Sequence, residues 1–173
     1  CISSTRASKV GLIVGGSQVA WQLRLVRQLI PQLTFLAVGG EIALAMMGKG
    51  QEMPGCLHDD LLLTLNALRA EKVKVLYPVD VVVYSSETQR NRVCLYQDLE
   101  KTESVKDLAN QSINRILSQI KKDQVDQIIL SGTIGQHLDP RYSRGTDILI
   151  QELAKLTNSK VLIGKNVALA ADR

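Results

Sequence analysis

Three short apolar runs each end in a glycine-bearing turn that opens a helix-prone segment. They are Val10 to Val14 before Gly15-Gly16-Ser17, Thr34 to Val38 before Gly39-Gly40-Glu41, and Lys160 to Ile163 before Gly164-Lys165-Asn166. The N–H groups and the dipole at a helix amino terminus favour negative charge, and glycine lets an anion approach the backbone, so this arrangement suits phosphate binding. A single strand-end Gly-Gly reads more simply as a tight turn, whereas three in one chain shift the balance toward a nucleotide site. Gly11 to Gly16 lacks the GxGxxG spacing before a helix, which weakens a dinucleotide-dependent oxidoreductase as an alternative.

Trp21 stands out independently. The apolar stripe of its segment runs Val19, Leu23, Val26, Ile30, which places Trp21 beside Gln18, Arg24 and Gln28 on the polar side. A large aromatic there is either a contact anchor for a partner or a ring folded over a neighbouring loop. Cys1, Cys56 and Cys94 are an odd number without CxxC spacing, so neither a disulfide framework nor a structural zinc site is expected, and a reducing compartment follows, the cytoplasm or an organelle interior. His58 and His137 lie far apart with no carboxylate pattern, and no metal site is expected.

The elements that must hold these residues alternate. Val10 to Val14, Thr34 to Val38, Val73 to Tyr77, Val81 to Tyr84, Gln127 to Leu130 and Lys160 to Ile163 read as strands. Val19 to Ile30, Glu41 to Met47, His58 to Ala70, Ser104 to Lys121, Gly145 to Leu156 and Val167 to Ala171 read as helices. Pro78-Val79-Asp80 marks a corner that Asp80 keeps, Ser85 to Arg92 reads as a turn, and Val93 to Tyr96 reads as a short antiparallel strand. The pattern predicts an α/β fold, a doubly wound and mainly parallel sheet with helices on both faces and ligands at the carboxyl ends of its strands.

With 173 residues, 45% of them hydrophobic, residues 1–173 are expected to form one domain. The stretch from Phe35 to Met47 is too short and too interrupted to cross a bilayer. The formal net charge of +4 is scattered, and with only 3% aromatic residues the stacking surfaces of single-strand nucleic-acid binders are largely missing, so nucleic-acid binding has no support here. The chain begins at Cys rather than Met with no signal-peptide pattern after it, which reads as a processed product or a piece of a larger chain or assembly.

Six segments carry a family resemblance: Gly15-Gly16-Ser17-Gln18-Val19, Val38-Gly39-Gly40, Lys74-Val75-Leu76-Tyr77-Pro78-Val79-Asp80, Ser131-Gly132-Thr133-Ile134-Gly135, Tyr142-Ser143-Arg144-Gly145-Thr146 and Ile163-Gly164-Lys165-Asn166-Val167. In order and spacing they resemble the C-terminal, nucleotide-binding domain of phosphoglycerate kinase, whose corresponding segments are Gly-Gly-Ala-Lys-Val, Gly-Gly-Gly, a strand ending Leu-Pro-Val-Asp, Asn-Gly-Pro-Met-Gly, Phe-Ala-x-Gly-Thr and Gly-Gly-Gly-Asp-Thr. The spacing from Val93 to Lys121 departs most.

The resemblance implies an ATP or ADP site with magnesium whose charged contacts are altered here. Gln18 stands where the family's lysine steadies the transferring phosphoryl group, and Gln22 where a second lysine contacts the phosphates. Asn166 replaces the aspartate that helps hold Mg-nucleotide, Val167 the threonine after it, and Ser131 the loop asparagine. The ribose-binding glutamate falls near Leu138. Lys165 stands where the family has glycine, as a cation filling the phosphate space or as a solvated loop lysine, and Glu41 suits a helix start on structural grounds alone. The family's acidic substrate binds a separate N-terminal domain with no counterpart in this sequence. Two readings follow: a catalytically inactive domain serving as an interaction or structural module with other protein subunits, or a nucleotide-binding phosphotransferase domain with altered contacts.

Overall fold

The computed structural model describes residues 8–48, 54–136, 139–156 and 159–172. Strand β1 (Val10–Val14) is buried at every position, as expected of a strand covered on both faces. It pairs in parallel with β2 (Leu33–Val38) on one side and β7 (Gln127–Ser131) on the other. Strand β3 (Lys74–Leu76) extends the sheet beyond β2 and β8 (Ser159–Ile163) extends it beyond β7, giving the order β3-β2-β1-β7-β8. The winding reverses between β1 and β7, where an open sheet of this kind leaves a crevice at its carboxyl edge.

Alternation along the strands divides the core. Leu12, Val14, Leu36 and Val38 pack with Leu23 and Val26 of α1 (Val19–Leu29), Ile42 of α2 (Gly40–Met46) and Leu61 and Leu68 of α3 (Gly55–Ala70). Ile13, Phe35 and Ala37 point the other way, into a cluster with Ile113, Ile116 and Ile120 of α4 (Asn110–Asp123), Leu149 and Leu153 of α5 (Arg144–Ala154) and Val167 of α6 (Lys165–Ala171). Helices therefore cover both faces, and the sheet is doubly wound as the sequence pattern predicts. Each such Leu, Ile or Val is worth roughly 1.5–3 kcal/mol when fully buried.

The segment between β3 and α4 departs from the sequence expectation. Strands β4 (Asp80–Ser85), β5 (Arg90–Leu95) and β6 (Glu103–Leu108) form a separate antiparallel sheet in the order β5-β4-β6. The helix expected from Ser104 starts only at Asn110, because residues 103–108 pair with β4, from Ser85 opposite Glu103 to Val81 opposite Leu108. Val105 and Leu108 fit a helical stripe by spacing, but the ladder with β4 takes their backbone. The antiparallel strand expected at Val93 to Tyr96 begins earlier, at Arg90, and Tyr96 falls in a short 3-10 turn.

The start of α4 is fixed from a distance. The buried Asp80 carboxylate accepts the N–H groups of Gln111 at 3.0 Å and Ser112 at 2.7 Å, and the Ser112 hydroxyl lies 2.8 Å from the same carboxylate. Asp80 thus holds more than the corner after Pro78: it is the amino-terminal cap of a helix thirty residues further on. Truncating it to alanine orphans two helix N–H groups, and Asp80→Ala is expected to lower stability by about 1–3 kcal/mol. Chemical denaturation with a loss below about 0.5 kcal/mol would show the cap to be dispensable.

Candidate functional site

At the carboxyl edge of β1, β7 and β8 the turns after the strands surround a cleft of about 880 Å³. Its floor is Gly15, Gly16, Ser131, Gly132 and Gly164; Gln18 and Trp21 come from the α1 side, Gly40, Glu41 and Leu44 from α2, and Lys165, Asn166 and Val167 from α6. The loop Thr133 to Gln136, with Val105, Lys106 and Asp139, closes the remaining side.

The glycines of these turns first serve the packing of one turn on another. Gly132 has φ +74°, and a Cβ there would lie 2.4 Å from the Gly15 carbonyl oxygen. Gly40 has φ +58°, and its Cβ would fall 2.8 Å from the Gly16 nitrogen. Both are positions where side chains are excluded by conformation and by contact. Gly39 is not part of the lining; its N–H donates to the Val14 carbonyl at 2.8 Å and ties the ends of β1 and β2 together.

Gln22 is the most constrained polar side chain of the site. It lies on the cleft side of α1, only 4% exposed, with its amide turned under the strand ends. Its Nε2 donates to the Gly15 carbonyl at 2.8 Å and to the Ser131 carbonyl at 3.3 Å, and the buried Ser131 hydroxyl donates to its Oε1 at 3.1 Å. The side chain therefore clamps β1 to β7 at the point where the winding reverses. Both its donor and its acceptor are engaged within the fold.

The other sequence candidates separate into two groups. Gln18, Trp21, Lys165 and Asn166 reach the cleft, while Arg24 and Gln28 lie outside its lining, exposed further along α1. Trp21 is 43% exposed, off the buried stripe of Leu23 and Val26. Glu41 is exposed in the first turn of α2, where the helix dipole favours a carboxylate. His137 and Leu138 lie outside the described residues. No group of three or more His, Cys, Asp or Glu placed to hold a metal ion occurs among the described residues.

Asp107 was not marked by the sequence pattern, since it falls in the segment that reads as helix. It is buried at the end of β6, accepting the N–H of Leu108 at 2.9 Å and of Gly145 at 2.6 Å, and a Cβ on Gly135 of the cleft loop would collide with it. Burial pushes its carboxyl up from 3.8 to about 7, against the pull of those two donors. Between about pH 4 and 7 the native carboxyl keeps a proton that the unfolded one has lost, so its contribution makes stability fall as pH rises through that window and level off above it. Urea midpoints near pH 5 and near pH 8 are expected to show this fall, and Asp107→Asn is expected to shrink it. An equal fall in the variant would assign the pH dependence to another group.

A sequence model of the family described as phosphoglycerate kinase matches residues 2–173. Among curated relatives, phosphoglycerate kinase of Syntrophobacter fumaroxidans is 29% identical over 175 residues, covering 95% of this chain and 43% of its own length. That of Blochmanniella pennsylvanica is 28% identical over 163 residues, covering 92% and 41%, and that of Buchnera aphidicola from Schizaphis graminum is 25% identical over 146 residues, covering 83% and 37%. The chain thus spans about two fifths of the length of the curated relatives it matches. The solved phosphoglycerate kinase of Coxiella burnetii superimposes with a TM-score of 0.80 at 25% identity, over 94% of this chain and 44% of that one. The enzyme from Pyrococcus horikoshii gives 0.77 at 16% identity over 98% and 45%, a likeness of fold. With the doubly wound sheet, the cleft at its carboxyl edge and a family match along almost its whole length, this chain belongs to the phosphoglycerate kinase family.

Proposed function

We propose that this chain is a phosphoglycerate-kinase-like domain that no longer transfers phosphoryl groups and serves as a protein-interaction or structural module in a larger chain or assembly, within a reducing intracellular compartment. The observation that carries the reading is Gln22. At the position where the family resemblance places a phosphate-contacting lysine, a neutral side chain is buried and committed to the Gly15 and Ser131 carbonyls and the Ser131 hydroxyl. Phosphoryl transfer rests on positioning and charge neutralisation, so neutral groups at Gln18, Gln22 and Asn166 remove what the reaction most needs.

The residues of the cleft do not fit Mg-nucleotide. Among the described residues its lining holds two lysines, Lys106 and Lys165, with Glu41 opposing them and Asp139 held by Arg141 outside the lining. A polyphosphate needs a concentration of positive charge, and the metal needs a carboxylate where Asn166 offers an amide. One observation favours the second reading, a nucleotide-binding phosphotransferase domain with altered contacts: the cleft itself is open and large enough for such a ligand.

The module reading is tested at Trp21. Trp21→Ala is expected to leave the melting temperature within a few degrees, because the indole lies outside the buried stripe, and to weaken partner association by at least about 2 kcal/mol, as truncation of an interfacial tryptophan does. Thermal unfolding and partner pull-down of the variant are measured side by side. A collapsed melting temperature with unchanged binding by the folded fraction would make Trp21 a core residue and remove the interface.

A further inference from the structure

We infer that the cleft and the exposed stripe of α1 receive one acidic segment of a partner protein, its carboxylates meeting Lys165 and Arg24 and its apolar side chains packing on Trp21. This rests on the interaction-module reading and names the chemistry of the partner.

The surface is continuous. Gln18, Trp21, Arg24 and Gln28 follow one another at intervals of three or four residues and so share one side of the helix. Gln18 and Trp21 line the cleft, and Arg24 and Gln28 carry the stripe outward from it. From Gln18 to Gln28 the stripe is about 15 Å long at 1.5 Å per residue, so an occupant that touches both the cleft lysine and the outer end of α1 has the reach of a polypeptide segment rather than of a small acid.

Its charge is one-sided. Helix α1 contains no acidic residue; of its two arginines, Arg27 is held by Asp60 at 2.9 Å, while neither Arg24 nor Lys165 is in an ion pair among the described residues. Across the cleft, Asp139 is neutralised by Arg141 at 2.7 Å, which leaves Glu41 as the opposing charge among the described lining residues. A segment lying along α1 with its acidic groups toward Arg24 and Lys165 meets complementary potential, with the indole as the apolar anchor between them.

The test places a photo-crosslinking amino acid at Gln28 of the otherwise unaltered chain in native extract, and the captured segment is identified by mass spectrometry and synthesised. Its affinity is then measured for the wild-type chain and for Lys165→Glu and Arg24→Glu, both exposed positions whose folding is checked by circular dichroism. The expected segment carries Asp or Glu, each charge reversal weakens it at least tenfold, and replacing its own Glu by Gln does the same. A captured segment without acidic residues, or an affinity unmoved by both reversals, overturns the inference while leaving the module reading in place. Failure to capture any protein segment at Gln28 overturns the inference as well, and the module reading then stands or falls with the Trp21→Ala comparison.

Discussion

Supplied with Mg-ATP, 3-phosphoglycerate and a separate phosphoglycerate kinase N-terminal domain, the chain is expected to show no turnover above background in a coupled assay. The family resemblance assigns charge stabilisation to the positions of Gln18, Gln22 and Asn166, and none of the three carries charge here. If each family group supplies on the order of 3 kcal/mol of transition-state stabilisation, their joint loss removes several powers of ten in rate even after allowance for non-additivity. Lys165 and Lys106 do not make up for all three, since Glu41 opposes them across the cleft and neither stands at the positions of Gln18, Gln22 or Asn166. Turnover that disappears when Gln18 or Asn166 is replaced by alanine would restore the phosphotransferase reading.

Replacing Gln22 by alanine is expected to be among the most destabilising single polar substitutions in the chain. It removes three hydrogen bonds and leaves the buried Ser131 hydroxyl and the Gly15 carbonyl without the partner they have in the clamp. Each of the two orphaned buried groups costs about 1–3 kcal/mol, and at roughly 2–4 °C per kcal/mol for a chain of this size the pair lowers the melting temperature by roughly 4–24 °C. Gln22→Glu is expected to be as damaging, because a carboxylate would face two carbonyl oxygens where the amide now donates. A melting temperature within about 2 °C of wild type for Gln22→Ala would mean that water replaces the clamp at no cost.

The parallel sheet was legible because β1, β2 and β7 are buried apolar runs closed by glycine, and because α1 repeats its apolar residues at helical spacing on one side only. The three-stranded sheet was not. Nothing local in Glu103 to Leu108 separates a strand from the first turns of an amphipathic helix; the choice is made by pairing with β4, about twenty residues away, and by Asp80, whose carboxylate decides where α4 begins. The site was partly legible. Glycine turns before helices marked its floor, but whether Gln22 faces solvent or lies under Ser131 depends on a residue 109 positions away in the chain. Asp107 is not legible in the sequence for the same reason, its role being set by Gly145 and Gly135 from other elements.

A calorimetric titration of the folded chain with Mg-ATP and with Mg-ADP reads the loss of the charged contacts at the cleft itself. A cleft with Gln18 and Gln22 in place of two lysines and an amide at Asn166 is expected to bind either nucleotide with a dissociation constant weaker than about 1 mM, a free energy no better than about −4 kcal/mol. The contrary result is a saturable isotherm with a dissociation constant near 1 µM, about −8 kcal/mol, which would show that the cleft still holds Mg-nucleotide without those charges.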